Sequence, residues 1–135
     1  MPVISVSLPA ELLSRLDALV NKGEFASRSE MIRQAIREAL SEFERAESQR
    51  GNVLATVTAF YDRESELTGQ RLMELRHDFD DLISEHMHLH AKGDYCIEIF
   101  VVTGDADRIQ QFLTKVRGAR GIHQVRHTTI GLEKQ

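Results

Sequence analysis

From Glu42 to Asn52 the chain turns polar and charged and ends on Gly51-Asn52, and this break divides its 135 residues into two pieces. A charged run closed by Gly-Asn reads as a linker between two units. Neither piece is long enough to bury much apolar surface by itself, because the fraction of surface removed from water falls as a domain shrinks. Two small pieces therefore predict a homo-oligomer. Hydrophobic residues make up 41% of the chain and charged residues 28%, the balance of a soluble globular protein. No apolar run approaches the ~20 residues of a membrane-spanning helix. Met1-Pro2-Val3-Ile4-Ser5 has no basic segment leading into an apolar stretch, so no secretory signal or membrane association is expected and the expected location is cytoplasmic.

Ahead of the break, Ile4, Val6 and Leu8 alternate with Val3, Ser5 and Ser7, the period of a short strand with one apolar face and one small, mostly polar face. Pro9 ends that strand and suits the first turn of a helix, along which Leu12, Leu13, Leu16, Leu19 and Val20 recur at helical spacing until Gly23 offers a stop. Ser27-Arg28-Ser29-Glu30 has the S-x-x-E form of a capping box, and Ile32, Ala35, Ile36, Ala39, Leu40 and Phe43 continue one apolar stripe behind it. The piece reads strand-helix-helix. Beyond the break, strands are predicted over 53–61, 86–90, 95–103 and 122–130, with helices over 64–83 and 105–116. The order β-α-β-β-α-β is the split βαβ unit of ferredoxin-like folds, and the chain is accordingly placed in the α+β class. Such a fold says little about function by itself.

A net charge of −4 argues against binding nucleic acid by charge alone, and neither piece is basic. Residues 1–50 hold 7 Lys/Arg against 8 Asp/Glu, and residues 51–135 hold 10 against 13. Any contact with DNA must come from a few placed basic groups and helix termini. Arg28 and the free N–H groups around Ser29, at the start of the second helix, suit a phosphate because a helix N-terminus is already an anion site.

Three of the six histidines, His86, His88 and His90, occupy alternate positions of one short strand just before the only cysteine, Cys96. Alternation puts all three on one face. If Lys92-Gly93-Asp94 is a three-residue turn, Ala91 pairs with Tyr95, His90 lies across from Cys96, and His88 lies across from Glu98. Glu98 is then placed to orient an imidazole from behind. A two-residue turn would move Cys96 to the opposite face. Two imidazoles and a thiolate suit Ni(II), Cu(II), Zn(II) or Co(II) and not Mg²⁺ or Ca²⁺, although a fourth ligand is missing from this set. The competing reading is a solvent-facing histidine strand beside a buried, inert cysteine. No Ser/His/Asp arrangement or nucleophile motif occurs, so no enzyme is expected.

The strand-helix-helix opening with its Ser27-Arg28-Ser29-Glu30 turn, the linker, the β-α-β-β-α-β piece and the spacing His77-x10-His88-x-His90-x5-Cys96 together resemble the NikR family of nickel-responsive regulators over nearly the whole chain. The resemblance implies a ribbon-helix-helix DNA-binding domain over 1–47, a linker over 48–52, and a ferredoxin-like (ACT-like) metal-binding and oligomerisation domain over 53–135. It implies a metal-responsive repressor of transcription that binds double-stranded operator DNA when nickel is bound. The implied assembly is a homotetramer, a dimer of dimers, with one Ni(II) per subunit in a roughly square-planar site shared between chains. Carried over residue by residue, His88, His90 and Cys96 are the ligands from one chain, His77 is the fourth from a neighbour, and Glu98 stands behind them. Paired N-terminal strands would turn Val3, Ser5 and Ser7 toward base edges, with Arg28 and Ser29 on the phosphates.

Several positions depart from the family pattern. Val3 stands where arginine is common. Gln34 replaces an acidic residue that, with Glu30, helps hold a second cation. Arg76 precedes His77 where glutamine is usual, Asp78-Phe79-Asp80 replaces a more histidine-rich run, and His86 is an additional histidine on the ligand face, either a group standing behind the ligands or an exposed bystander. The alternative is a ribbon-helix-helix regulator whose C-terminal domain senses a small organic ligand or another metal (Co, Cu or Zn).

Overall fold

The computed structural model of the chain describes residues 1–132, apart from the side chains at positions 46 and 47. The last three residues of the segment expected over 53–135 lie outside the described residues. The chain divides into two compact units, Met1–Arg45 and Ala46–Gln135. No helix among the described residues is long and apolar enough to cross a membrane.

The first unit carries α1 (Ala10–Asn21) and most of α2 (Arg28–Glu47). Pro9 sits at the N-cap with φ −56° and ψ 144°, and its carbonyl accepts from the Leu13 N–H at 3.1 Å, opening the helix. The other end closes as a Schellman motif: the Gly23 N–H donates to Val20 and the Glu24 N–H to Leu19, which needs a left-handed residue between them. Gly23 supplies it, at φ +82°. At the start of α2 the Ser27 hydroxyl accepts from the Glu30 N–H at 3.0 Å. The reciprocal half of the box is replaced, because the Glu30 carboxylate turns to Arg33 at 3.0 Å and Arg37 at 3.8 Å.

The strand expected over residues 3–8 is not formed in the single chain; α1 follows directly on an extended, exposed segment. A strand exists only against another strand, and the rest of this unit is helical. Leu16 is its one buried hydrophobic residue among those described, while Ile4, Val6, Ile32, Ile36 and Leu40 are exposed. The apolar stripe read from the sequence is present, and its residues on α2 are left largely exposed.

The second unit runs β1 (Asn52–Asp62), α3 (Glu66–Asp78), β2 (Ile83–Ala91), β3 (Tyr95–Asp105), α4 (Ala106–Arg117) and β4 (Ile122–Gly131). All pairings are antiparallel and the sheet order is β2-β3-β1-β4. Alternate residues of the central strands are buried: Val53, Ala55, Val57, Ala59 and Tyr61 on β1, and Cys96, Glu98, Phe100 and Val102 on β3. All but Glu98 share one core with Leu72 and Leu75 of α3 and Ile109, Phe112, Leu113 and Val116 of α4. Phe112 meets Phe100 and Phe79 edge to face, with ring centroids 5.3 and 5.4 Å apart. The β2 strand lies at the sheet edge and stays mostly exposed.

The helix expected to reach Ile83 stops at Asp78, and β2 begins at Ile83 instead of His86. Three aspartates, Asp78, Asp80 and Asp81, crowd the negative end of the helix dipole, which disfavours continuing it. The chain turns there, with the Leu82 N–H donating to Phe79 at 2.9 Å. Phe79 and Leu82 still reach the core, which is why their spacing resembled a longer helix.

Candidate metal centre

The site is built on the β2–β3 hairpin. Its turn is Lys92-Gly93-Asp94, with Gly93 at φ +87° and Asp94 at φ +63°, a conformation that glycine and aspartate tolerate better than other residues. The Arg63 N–H donates to the Asp94 carbonyl at 2.8 Å, tying the turn to the end of β1. Three turn residues fix the register: Ala91 opposes Tyr95, His90 opposes Cys96, His88 opposes Glu98 and His86 opposes Phe100.

That register collects donors. One ligating atom each from His88, His90 and Cys96 lies within 4.8 Å of the others. Cys96 Sγ is 3.6 Å from His90 Nδ1, and the rings of His88 and His90 meet edge to face at 4.9 Å. Cys96 is buried while the two histidines are exposed, because β3 is central and β2 is at the edge. Two nitrogens and a sulfur this close match a borderline-soft cation.

Glu98, buried behind the histidines, gathers three contacts. The Tyr61 hydroxyl donates to Oε1 at 3.0 Å, His88 Nδ1 meets the same oxygen, and His86 Nε2 lies 2.5 Å from Oε2. Burial, with the negative Glu98 beside it, pushes the Tyr61 phenol well above its ordinary range, so it keeps its proton and remains a donor. Tyr61 belongs to this network and was missed by sequence reasoning. Its signal is faint: it is simply the last inward position of β1, and no short turn links β1 to β3 to reveal that Tyr61 faces Cys96.

His77 does not join the three donors. It is exposed near the end of α3, on an open cavity of about 940 Å³ whose lining includes Met73, Asp78, His88 and Glu98. In the other unit, Val3, Ser5 and Ser7 are exposed on the extended segment, and Ser29 is exposed in the first turn of α2. Arg28 is already paired: Nε and Nη2 donate to the two Asp17 carboxylate oxygens at 2.7 and 2.8 Å, bridging α2 to α1.

Residues 54–130, which carry the whole donor cluster, match the NikR C terminal nickel binding domain. The chain belongs to the NikR family. Residues 3–42 of this NikR chain match the ribbon-helix-helix proteins of the copG family. A NikR relative from Haloarcula marismortui, named as a nickel-responsive regulator, is 32% identical over 98% of this chain and 96% of its own length. One from Methanococcus maripaludis with the same name is 35% identical over 96% of this chain and 92% of its own. Among solved structures, an uncharacterized protein from Thermotoga maritima aligns with a TM-score of 0.50 at 22% identity, covering 61% of this chain and 99% of that one; this likeness concerns the fold. The fold class is α+β, with a ribbon-helix-helix unit followed by a ferredoxin-like, ACT-like βαββαβ unit. NikR proteins are transcriptional regulators and not enzymes.

Proposed function

We propose that this chain is a nickel-responsive repressor that binds operator DNA when Ni(II) is bound. The observation that carries the reading is the meeting of His88, His90 and Cys96 donors within 4.8 Å on one hairpin. In this reading those three residues hold one Ni(II) per subunit, His77 of a neighbouring chain completes the set, and Glu98 orients His88. The metal ties two chains together and thereby favours one arrangement of the assembly, a dimer of dimers. Such coupling cannot exceed the difference in metal affinity between the arrangements. Residues 1–47 bind DNA, 48–52 link, and 53–135 bind metal and assemble. Two N-terminal segments pair into the missing ribbon, Val3, Ser5 and Ser7 face bases, and Arg28 and the Ser29 region hold phosphates.

Cys96 binds as a thiolate, so loading releases a proton and weakens as pH falls. Titration of the full chain with Ni(II) tests this: a sulfur-to-nickel charge-transfer band should appear, disappear in Cys96→Ser, and coincide with the onset of operator binding. DNA binding that ignores nickel, or a band that survives Cys96→Ser, would refute the proposal.

A further inference from the structure

We propose that His86 is a positioning residue for the nickel centre: it holds the Glu98 carboxylate so that Glu98, in turn, keeps the His88 proton on Nδ1 and leaves Nε2 as the ligating nitrogen. This inference rests on the reading of His88 as a ligand.

The Glu98 side chain is 4% exposed and that of His86 10%. On the carboxylate, Oε1 is shared by Tyr61 and His88, whereas Oε2 is met by His86. His86 therefore fixes the rotation of the carboxylate about its last bond, a freedom that two donors on one oxygen do not remove. The His86 ring is itself held, lying tilted over Phe100 with centroids 4.8 Å apart, and Phe100 is fully buried in the core.

An ionised carboxylate only accepts, so each imidazole nitrogen that faces it must carry hydrogen. That places a proton on His86 Nε2 and on His88 Nδ1. A neutral imidazole protonated on Nδ1 has its lone pair on Nε2, so the hydrogen bond on one nitrogen decides which nitrogen can bind metal. Without His86, Oε2 is a buried acceptor lacking its partner; the carboxylate turns and His88 samples the tautomer whose Nε2 bears hydrogen and cannot ligate. His86 would reach the metal only through two other residues, and the sequence alone leaves it as either a group behind the ligands or an exposed bystander.

The test uses the full chain, metal-free and titrated with Ni(II) alone, and two substitutions that separate donation from packing. His86→Gln keeps an N–H near the position of Nε2 but loses the ring, whereas His86→Phe keeps a ring on Phe100 but loses the donor. Long-range ¹H–¹⁵N NMR of the metal-free protein reads the His88 tautomer, and chelator competition reads Ni(II) affinity. The parent chain and His86→Gln should show His88 protonated on Nδ1. His86→Phe should show mixed tautomers and an affinity loss of about tenfold, the lower end of what outer partners of metal ligands cause. The opposite order, with Phe like the parent and Gln impaired, would assign His86 to packing and overturn the proposal. If His86→Phe does not fold, the parent spectrum still decides: His88 protonated on Nε2 overturns the proposal alone. Failure of the parent chain to bind Ni(II) overturns the ligand reading and this inference with it.

Discussion

Arg28 and Asp17 hold each other through two hydrogen bonds that span α1 and α2. Chiefly through its hydrogen bonds, the guanidinium keeps the Asp17 carboxyl below its ordinary value. A depressed carboxylate adds stability above its unfolded pKa of about 3.9 and loses it as pH falls through the lower folded value, so this tie persists at neutral pH. Arg28 is exposed and Asp17 only half-buried, and such pairs contribute little in water. The pair matters more for the proposed DNA contact, in which a phosphate would have to draw Arg28 away from Asp17. Arg28→Ala should weaken operator and non-specific binding alike and lower the salt slope by about one. Asp17→Asn should raise non-specific affinity. An unchanged slope in both variants would leave Arg28 as a tie between helices and nothing more. Glu30 is likewise committed, to Arg33 and Arg37, which disfavours a cation at that carboxylate.

At the level of elements, the β2–β3 hairpin sets the donor geometry, and its turn is the point of control. At Gly93 a Cβ would stand 3.3 Å from the Tyr95 ring in a left-handed conformation. Gly93→Ala should cost about 1–2 kcal/mol of stability by denaturant melts, with the nickel band shifted or weakened while the far-ultraviolet spectrum is kept. A variant as stable as the parent would remove the turn from the account. The sequence narrowed this register to two, set by a three-residue or a two-residue turn, and the structure has the three-residue one; the start of α2 at Ser27 was legible outright from its capping residues. The C-terminal end of α3 was not legible, since Phe79 and Leu82 enter the core from a turn at a spacing that imitates a helix. Tyr61 was hidden because β1 and β3 meet only after α3 and β2 intervene, so no local rule ties their registers. The strand over residues 3–8 was misplaced in another sense: its period is real, but no described residue of the chain pairs with it.

At the level of the whole molecule, the proposal makes the nickel centre a property of two chains. His77→Ala and Cys96→Ala, each made alone, should lose tight Ni(II) binding; mixed and allowed to exchange subunits, they should recover part of it. No recovery despite proven exchange would remove His77 of a neighbour from the ligand set. A second consequence belongs to the first unit, where Leu16 is the one buried hydrophobic side chain among those described and α2 leaves Ile32, Ile36 and Leu40 uncovered. If a second copy covers that face, as the proposed ribbon requires, the unit follows mass action and its melting temperature depends on how many copies share the solution. Thermal scans over a hundredfold dilution should show a transition from this unit that moves down with concentration, beside one from the sheet unit that moves less. The amount of chain present would then itself bear on how much of the N-terminal unit is paired and so held in its folded form.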